Sequence, residues 1–395
     1  MTVLVVAIAL AVAHRATTTA ERAQFAAAVL RTTRRAMLRI RADYEAIEPF
    51  RAVLRTRTPW PPVTPALVIV NVAIFVMMRV SHRASGDHDM LIAWGGSVGP
   101  HTVNGEWWRL VTALFVHSSV LELIVTMAML VPVGLVTESL IGPVAFSAAY
   151  LASGAFAGLY SVSMTPLAVT VGASAAVAGL YGVMLAAALW GMLRRPRLIV
   201  PLTLAKWLAG SAAVLLAYAL LADALGAVEV GAIVGLLFGV IVATRVNAQQ
   251  TPAVRVAAAA AFIMFLVVTT AVPLRGLTDA RSAIEEVFAA EARTASTYSA
   301  AVDRFKAGDL TTAALADVID RVVLPQLRAA RAQLDALDKV PPEQQWLVAS
   351  AEEYVQLRDD SWQTRSEALR HHNMRLLREA DEKEARSLNA LRRIS

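Results

Sequence analysis

The residue with the clearest capacity for chemistry is Ser174, which lies in an apolar segment that runs from Leu167 to Met192. A serine hydroxyl becomes a nucleophile when a neighbouring base takes its proton. Gly172 precedes Ser174, and Gly179 and Gly182 follow on the same helical side. Small residues at this spacing let a second membrane helix approach to backbone contact. The same pattern also fits a simple packing face whose serine bonds to its own helix.

A second set of glycines lies in a later apolar segment, at about residues 227–243. Gly231, Gly235 and Gly239 recur at intervals of four, so they form one continuous small face if the segment is helical. We expect this face to pack closely within a bundle of membrane helices.

Two carboxylates lie in the apolar part of the chain, Glu122 and Glu229. A charged group inside a membrane marks a functional site by default, and a carboxylate whose pKa is raised by burial can act as a base. The alternative is a carboxylate that is satisfied by Ser, Thr or backbone partners within the bundle. Both interpretations stay open for both residues.

The composition points to a membrane protein that crosses the bilayer several times. The chain has 395 residues, of which 57% are hydrophobic and 17% are charged. Cysteine is absent, which excludes disulfides, thiolate catalysis and cysteine metal sites. The seven histidines are scattered and form no HExxH motif, and we interpret the pair His371–His372 as a solvated helix face. We therefore expect no metal ion and no cofactor.

Seven apolar segments predict membrane spans. They cover about residues 66–80, 111–136, 144–163, 167–192, 198–221, 227–243 and 256–274. Residues 1–13 are apolar but short, and we expect a shallowly inserted or half-spanning helix there rather than a cleaved signal peptide.

The net charge of +6 comes mostly from arginines in the first 57 residues and in short loops, which indicates membrane topology rather than nucleic-acid binding. The arm from His14 to Arg57, the loop 194–197 and the loop 245–255 fall on one side of the predicted spans. The positive-inside rule places this side in the cytoplasm and everything after Leu274 outside. We expect anionic lipid to hold the arm.

The chain after about residue 275 is much less apolar and has helical periodicity. Breaks are predicted at Gly308-Asp309, at Pro341-Pro342 and at His371-His372-Asn373. The positions expected to face the core of a helical bundle are Ala283, Val287, Ala290, Leu315, Ile319, Val322 and Leu327.

The predicted fold class is all-α, a polytopic membrane helix bundle with a C-terminal extracytoplasmic helical bundle. Four domains are expected. They are an apolar helix and basic cytoplasmic arm at 1–62, a transmembrane core at 63–245, an additional transmembrane helix at 246–275, and a soluble extracytoplasmic domain at 276–395.

Several separated motifs together resemble the rhomboid superfamily of intramembrane serine proteases and their inactive relatives. The resemblance covers about residues 63–245 and implies a six-helix core, to which the seventh span is added. The matching positions are Glu106, Trp108, Arg109, His117, Glu138, Gly142, Gly172, Ser174, Gly179, Gly182, Gly231, Gly235 and Gly239.

The resemblance implies that Ser174 occupies the nucleophile position but lacks its partners. Ala232 stands where the family has the base histidine, and the chain has no histidine between His117 and His371. Glu122 and Thr126 stand at the oxyanion positions, where a carboxylate reverses the sign of the stabilising interaction. In addition, Ala175 replaces the usual glycine after the serine. These departures predict a catalytically inactive member, a pseudoprotease.

Three functions remain open. The first is a pseudoprotease that binds transmembrane segments of client proteins and regulates their stability or assembly. The second is an active rhomboid-type protease with an unusual base, for which Glu229 is the candidate. The third is a membrane-anchored structural or sensory protein that acts through its C-terminal domain. The expected partners are membrane lipid and a client protein, with no nucleic acid. The expected location is the cytoplasmic membrane of a bacterium, and the oligomeric state stays open.

Overall fold

The computed structural model describes residues 47–56, 58–81, 88–193, 201–243 and 252–394. The expectation for residues 1–13 and most of the basic arm lie outside these ranges. In the described chain the regular elements are helices, joined by isolated bridges between Ser97 and Thr170 and between Leu277 and Lys339. The prediction of an all-α polytopic bundle is confirmed.

Residues 47–56 are helical. The helices up to the last apolar segment follow in chain order as α1 (Val63–Val80), α2 (His88–Ala93), α3 (Gly99–Thr102), α4 (Arg109–Thr112), α5 (Val120–Ile141), α6 (Pro143–Met164), α7 (Ser174–Leu193), α8 (Leu202–Leu221), α9 (Leu225–Ala243) and α10 (Ala253–Ala271). Among the described residues, six of them are long and apolar enough to cross a membrane, namely α1, α5, α6, α8, α9 and α10. The apolar part of α7 is shorter and covers Ser174–Trp190.

The predicted second span at 111–136 is wrong in its bounds. Helix α5 begins at Val120 and ends at Ile141, whereas the preceding residues form α4 and a short 3-10 helix, Ala113–Phe115. The apolar residues before Val120 belong to a folded loop, because the Thr112 hydroxyl donates to the Gly95 carbonyl at 2.8 Å. Apolar composition alone does not separate such a loop from the helix that follows.

The predicted fourth span also begins too early, because α7 starts at Ser174 rather than at Leu167. Thr170 exchanges two backbone hydrogen bonds with Ser97, at 2.8 and 3.0 Å, and is therefore extended. Gly172 has a φ of +98° and donates its N–H to the Ala113 carbonyl at 2.9 Å. A positive φ suits glycine and stops a helix from extending backwards through this position.

The chain forms two compact units. One comprises residues 1–73, 120–154 and 173–263, and the other comprises residues 74–119, 155–172 and 264–395. In the first unit the closest helix contact joins α7 and α9, and α5 and α8 pack against α7. The second unit contains the loop that carries Arg109 and all of the C-terminal bundle.

The C-terminal bundle consists of α11 (Arg281–Lys306), α12 (Thr312–Val318), α13 (Leu324–Asp335), α14 (Pro342–Arg370) and α15 (Met374–Ile394). The three predicted breaks are present. The expected core positions are buried except for Val322, which is 39% exposed and was predicted wrongly. A π-helical turn at Ile319–Val323 adds a residue to the turn and brings Val323 into the core instead.

Candidate functional site

The glycines of α7 and α9 form one seam, which we call the glycine seam. A Cβ atom placed at Gly235 would lie 2.5 Å from the Cα atom of Gly179, so the two backbones are in direct contact. Each pairing advances four residues on both helices, which shows that α7 and α9 run parallel. The pairs are Gly231 with Ala175, Gly235 with Gly179, and Gly239 with Val183.

The seam brings the segments of Ser174 and Ala232 together. Ala232 follows Gly231, which lies against the residue after Ser174. Ser174 is the first residue of α7 and is half-buried, and none of the described residues forms a hydrogen bond with its hydroxyl. The methyl group of Ala232 has no atom that accepts a proton. The side chain of Ala232 therefore cannot act as a base for Ser174.

Glu122 and Thr126 lie in the first two turns of α5, and both are buried. Helix α5 is tied to α7 by Tyr181, whose hydroxyl donates to the Met129 carbonyl at 3.4 Å. Glu122 lies seven residues before Met129, and Ser174 likewise lies seven residues before Tyr181. If both helices cross the membrane in the same direction, as the predicted topology requires, Glu122 lies at the depth of Ser174. The hydroxyl of Thr126 is buried and has no hydrogen-bond partner among the described residues.

Glu229 lies on α9, but its side chain is exposed. It precedes Gly231 by two residues, which turns it by about 200° around the helix and away from the seam. The structure therefore does not bring Glu229 toward the face of α9 that contacts α7.

Arg109 organises the loop that precedes α5 within the second compact unit. Arg109 is 8% exposed. Its guanidinium donates to the carbonyls of Ile92 and Gly96 and lies 4.7 Å from the centre of the Trp108 ring. It also pairs with Glu106. Hydrogen bonds from His101 and Arg109 lower the pKa of the Glu106 carboxyl. These contacts assign a structural role to Trp108 and Arg109.

His117 is fully buried in the same loop. Burial lowers the pKa of its imidazole to about 4, and the Phe115 carbonyl opposes this shift only in part. The ring is therefore neutral near pH 7.

Glu138 caps the N-terminus of α1 from the end of α5. Its buried carboxylate accepts hydrogen bonds from the backbone N–H groups of Val63 and Thr64, both at 2.8 Å, and from the Thr64 hydroxyl at 2.7 Å. An anion at a helix N-terminus complements the helix dipole and satisfies N–H groups that have no partner within the helix. Glu138 thus fixes the junction between the basic arm and the first span.

Asn104 is a structural residue that the sequence analysis missed. Its side-chain amide accepts from the Gly276 N–H at 2.9 Å and donates to the Leu277 carbonyl at 2.8 Å. Leu277 is buried, and Gly276 in turn accepts from the N–H of Lys339 in the C-terminal bundle at 3.1 Å. No sequence signal distinguishes this asparagine from one in an ordinary turn, because its partners are far away in the chain.

Residues 104–247 match a family model described as the Rhomboid domain. Over these residues the chain is similar to members of the rhomboid family. It is 31% identical over 125 residues to Rhomboid-like protease 3 of Toxoplasma gondii, which covers 31% of this chain and 48% of that protein. It is 29% identical over 129 residues to Rhomboid protease GluP of Bacillus subtilis, which covers 33% of this chain and 25% of that protein. It is 33% identical over 86 residues to Inactive RHOMBOID-like protein 8 of Arabidopsis thaliana, which covers 22% of this chain and 24% of that protein.

The chain spans about half the length of the first of these relatives and about a quarter of the other two. The rhomboid domain includes the loop with Arg109 and both helices of the glycine seam. The C-terminal bundle lies outside it. The relatives include proteins named as proteases and one named as inactive, so the similarity alone does not decide whether this chain is an enzyme.

Proposed function

We propose that this rhomboid-family chain is a catalytically inactive membrane protein that binds transmembrane segments of client proteins and regulates their stability or assembly. The observation that carries the proposal is Ala232. It lies beside the serine segment on the glycine seam, and no histidine follows His117 in the sequence before His371. Without a base the hydroxyl of Ser174 stays protonated, and loss of the base from a serine–histidine pair costs several powers of ten in rate.

The oxyanion side supports the same conclusion. A donor aimed at the developing negative charge usually supplies a large part of the rate enhancement, and the loss of one donor costs about 100- to 1,000-fold. Glu122 is buried in the first turn of α5, where a carboxylate repels that charge. Two independent requirements of the reaction are thus unmet.

Client binding follows from the polar groups that the rhomboid domain keeps within its apolar helices. Glu122 and Thr126 are buried on α5, and Ser174 begins α7 with a half-buried hydroxyl. A client helix with polar or unpaired backbone groups would gain hydrogen bonds from them that lipid cannot offer. In this function the three side chains act as binding partners and not as catalysts.

The proposal is tested by labelling and rescue. We expect no reaction of Ser174 with a fluorophosphonate probe and no cleavage of model transmembrane substrates. Ala232→His alone should restore little, because Glu122 remains. Addition of Glu122→His and Thr126→Asn should restore more than the single changes combined, since residues that act as one constellation are non-additive. Labelling and cleavage by the unaltered chain, both abolished by Ser174→Ala, would show that the protein is an enzyme.

An active protease is the second candidate, and the retained serine at the start of α7 favours it. In that case Glu122 is a better candidate for the base than Glu229, whose side chain points away from the seam. Glu122→Gln and Glu229→Gln form a matched pair. If labelling of Ser174 occurs and only Glu122→Gln removes it, Glu122 is the base.

We also propose that the basic arm is cytoplasmic and that residues 276–395 lie outside the cytoplasm as a soluble domain. The distribution of basic residues supports this topology. The chain has no cysteine, so Ser299→Cys on the exposed surface of α11 introduces a unique thiol. An impermeant maleimide should label it in intact cells, and labelling only after lysis would place the bundle inside.

A further inference from the structure

Helix α5 contains a proline in its interior, Pro132. Proline has no backbone N–H, so the carbonyl of Ala128 lacks its usual donor within the helix, and the proline ring crowds this carbonyl. Sharp kinks in helices occur mostly at such positions. Pro132 therefore divides α5 into a first half, residues 120–131, and a second half, residues 133–141.

The second half of α5 is fixed to α1. Glu138 accepts hydrogen bonds from the backbone of Val63 and Thr64. One turn earlier, a Cβ atom placed at Gly134 would lie 2.7 Å from the side-chain methyl carbon of Thr64, so the two helices are also in close contact there. This half of α5 cannot move without α1.

The first half of α5 is joined to α7 by the hydroxyl of Tyr181, which also contacts α8. The hydroxyl lies 3.4 Å from the carbonyl oxygen of Met129 on α5 and 2.7 Å from the hydroxyl oxygen of Ser211 on α8. Ser211 donates its own hydrogen to the carbonyl of Leu208 at 2.9 Å, so it accepts from Tyr181.

Tyr181 thus has one hydrogen for two acceptors. When it donates to Met129, the first half of α5 is held on α7. When it donates to Ser211, that connection is lost. The contact with Met129 is longer than an ordinary hydrogen bond, so it is the weaker of the two and the one that a competing group breaks first.

We propose that Tyr181 is a positioning residue for the client site and acts as a latch on the first half of α5. Glu122 and Thr126 both belong to this half. Opening of the latch lets the first half rotate about Pro132 and admits a client helix to these side chains. Glu122 lies about 15 Å along the helix from Pro132, so a rotation of about 20° moves it by about 5 Å. The inference rests on the proposed client-binding function.

The latch is tested by the distances between two spin labels in the full chain, reconstituted in lipid nanodiscs. The chain has no cysteine, so a pair of introduced thiols is unique. Ile124→Cys labels the first half of α5 and Leu185→Cys labels α7, and both positions are exposed. Val144→Cys with Leu185→Cys is the reference pair, because Val144 is exposed and follows the fixed end of α5.

Tyr181→Phe keeps the ring and removes the hydroxyl. It should add a population displaced by about 5 Å to the first pair and leave the reference pair unchanged. Pro132→Ala in the same chain should remove that population, since alanine supplies the missing N–H to the carbonyl of Ala128. A general loss of packing around Tyr181 would not be repaired by a change at Pro132.

The matched control is Tyr160→Phe on α6, which should leave both distances unchanged. Its hydroxyl forms no hydrogen bond within the part of the chain that the structure describes. Unfolding curves in SDS show whether each variant is folded. Unchanged distances in Tyr181→Phe, or a displaced population that persists with Pro132→Ala, would refute the latch.

The connection to the client site is tested with a labelled single-span leucine peptide that has an asparagine two turns from each end. We expect it to bind the unaltered chain and to increase the displaced population. Tyr181→Phe should bind it up to about fivefold more tightly, the factor that one hydrogen bond of typical net strength contributes. Equal affinity of the two chains would refute the role of Tyr181 at the client site. Failure of the peptide to bind any variant would refute the client function, whereas the label distances decide on the latch independently.

Discussion

The substitution Gly235→Ala tests the glycine seam most directly. A methyl group at this position would meet the carbonyl oxygen of Gly179 first and would lie 2.5 Å from both the Cα atom and the carbonyl carbon of that residue. Ordinary van der Waals contact between carbon atoms begins near 3.5 Å, so α7 and α9 must separate by roughly 1 Å. Both neighbours are backbone atoms and no flexible side chain can move aside. The strain therefore falls on the whole helix pair.

The magnitude follows from three terms. Alanine gains about 1 kcal/mol over glycine in a helix interior. Overpacking of a well-packed contact costs about 1–3 kcal/mol, and a gap of 0.5–1 Å forfeits a quarter to a half of the dispersion energy at each neighbouring pair along the seam. The gain and the overpacking cost leave a net loss of up to about 2 kcal/mol, and the lost dispersion energy adds to it, so we expect a decrease of about 1–3 kcal/mol in the free energy of unfolding.

The assay is reversible unfolding of the purified protein by SDS in mixed micelles, followed by circular dichroism. The matched control is Gly210→Ala on α8, where an added methyl group meets no atom within 4 Å. This variant should be as stable as the unaltered chain or up to about 1 kcal/mol more stable. If Gly235→Ala is as stable as Gly210→Ala, then α7 and α9 do not pack through these glycines.

Three further predictions concern the residues that hold the loops and the first span. The folded-state pKa of His117 is about 4, below the unfolded value of 6.5, so this ring lowers the free energy of unfolding as the pH falls from 6.5 toward 4. His117→Gln should remove this contribution to the acid-induced loss of stability. That loss is on the order of 3 kcal/mol, and melting curves across this pH range measure it. Glu138→Gln should destabilise by about 1.5–3 kcal/mol in SDS unfolding, whereas the exposed control Glu229→Gln should change stability by less than about 0.5 kcal/mol. Asn104→Ala should accelerate amide hydrogen exchange at Gly276, and unchanged exchange would show that the asparagine does not hold this junction.

Long apolar segments could be predicted from the sequence because a membrane span needs length and low charge and little else. Helices α6, α8 and α9 accordingly lie close to their predicted bounds. The start of α7 could not be predicted in this way. Its position depends on hydrogen bonds from Thr170 to Ser97 and from Gly172 to Ala113, more than 50 residues away in the chain.

The side-chain partners were harder to predict than the helices. The spacing of Gly231, Gly235 and Gly239 indicated a packing face, since periodicity survives in the sequence. The hydrogen bonds of Asn104 with Gly276 and Leu277 leave no such pattern, because they join residues more than 170 positions apart. Val322 shows a third kind of error, in which one π-helical turn shifts the register of an otherwise regular pattern.

The glycine seam also shows why the packing of α7 on α9 does not depend on a histidine at position 232. Packing of α7 on α9 requires small residues at Gly231, Gly235 and Gly239. These contacts form although the residue after Gly231 is an alanine, Ala232. A serine hydrolase of this type needs one imidazole within reach of the hydroxyl. That imidazole is not needed for the backbone contacts between α7 and α9. The absence of an imidazole at position 232 therefore leaves the helix pair intact. The polar side chains of Glu122, Thr126 and Ser174 lie within these apolar helices, and the proposed client-binding function needs these groups.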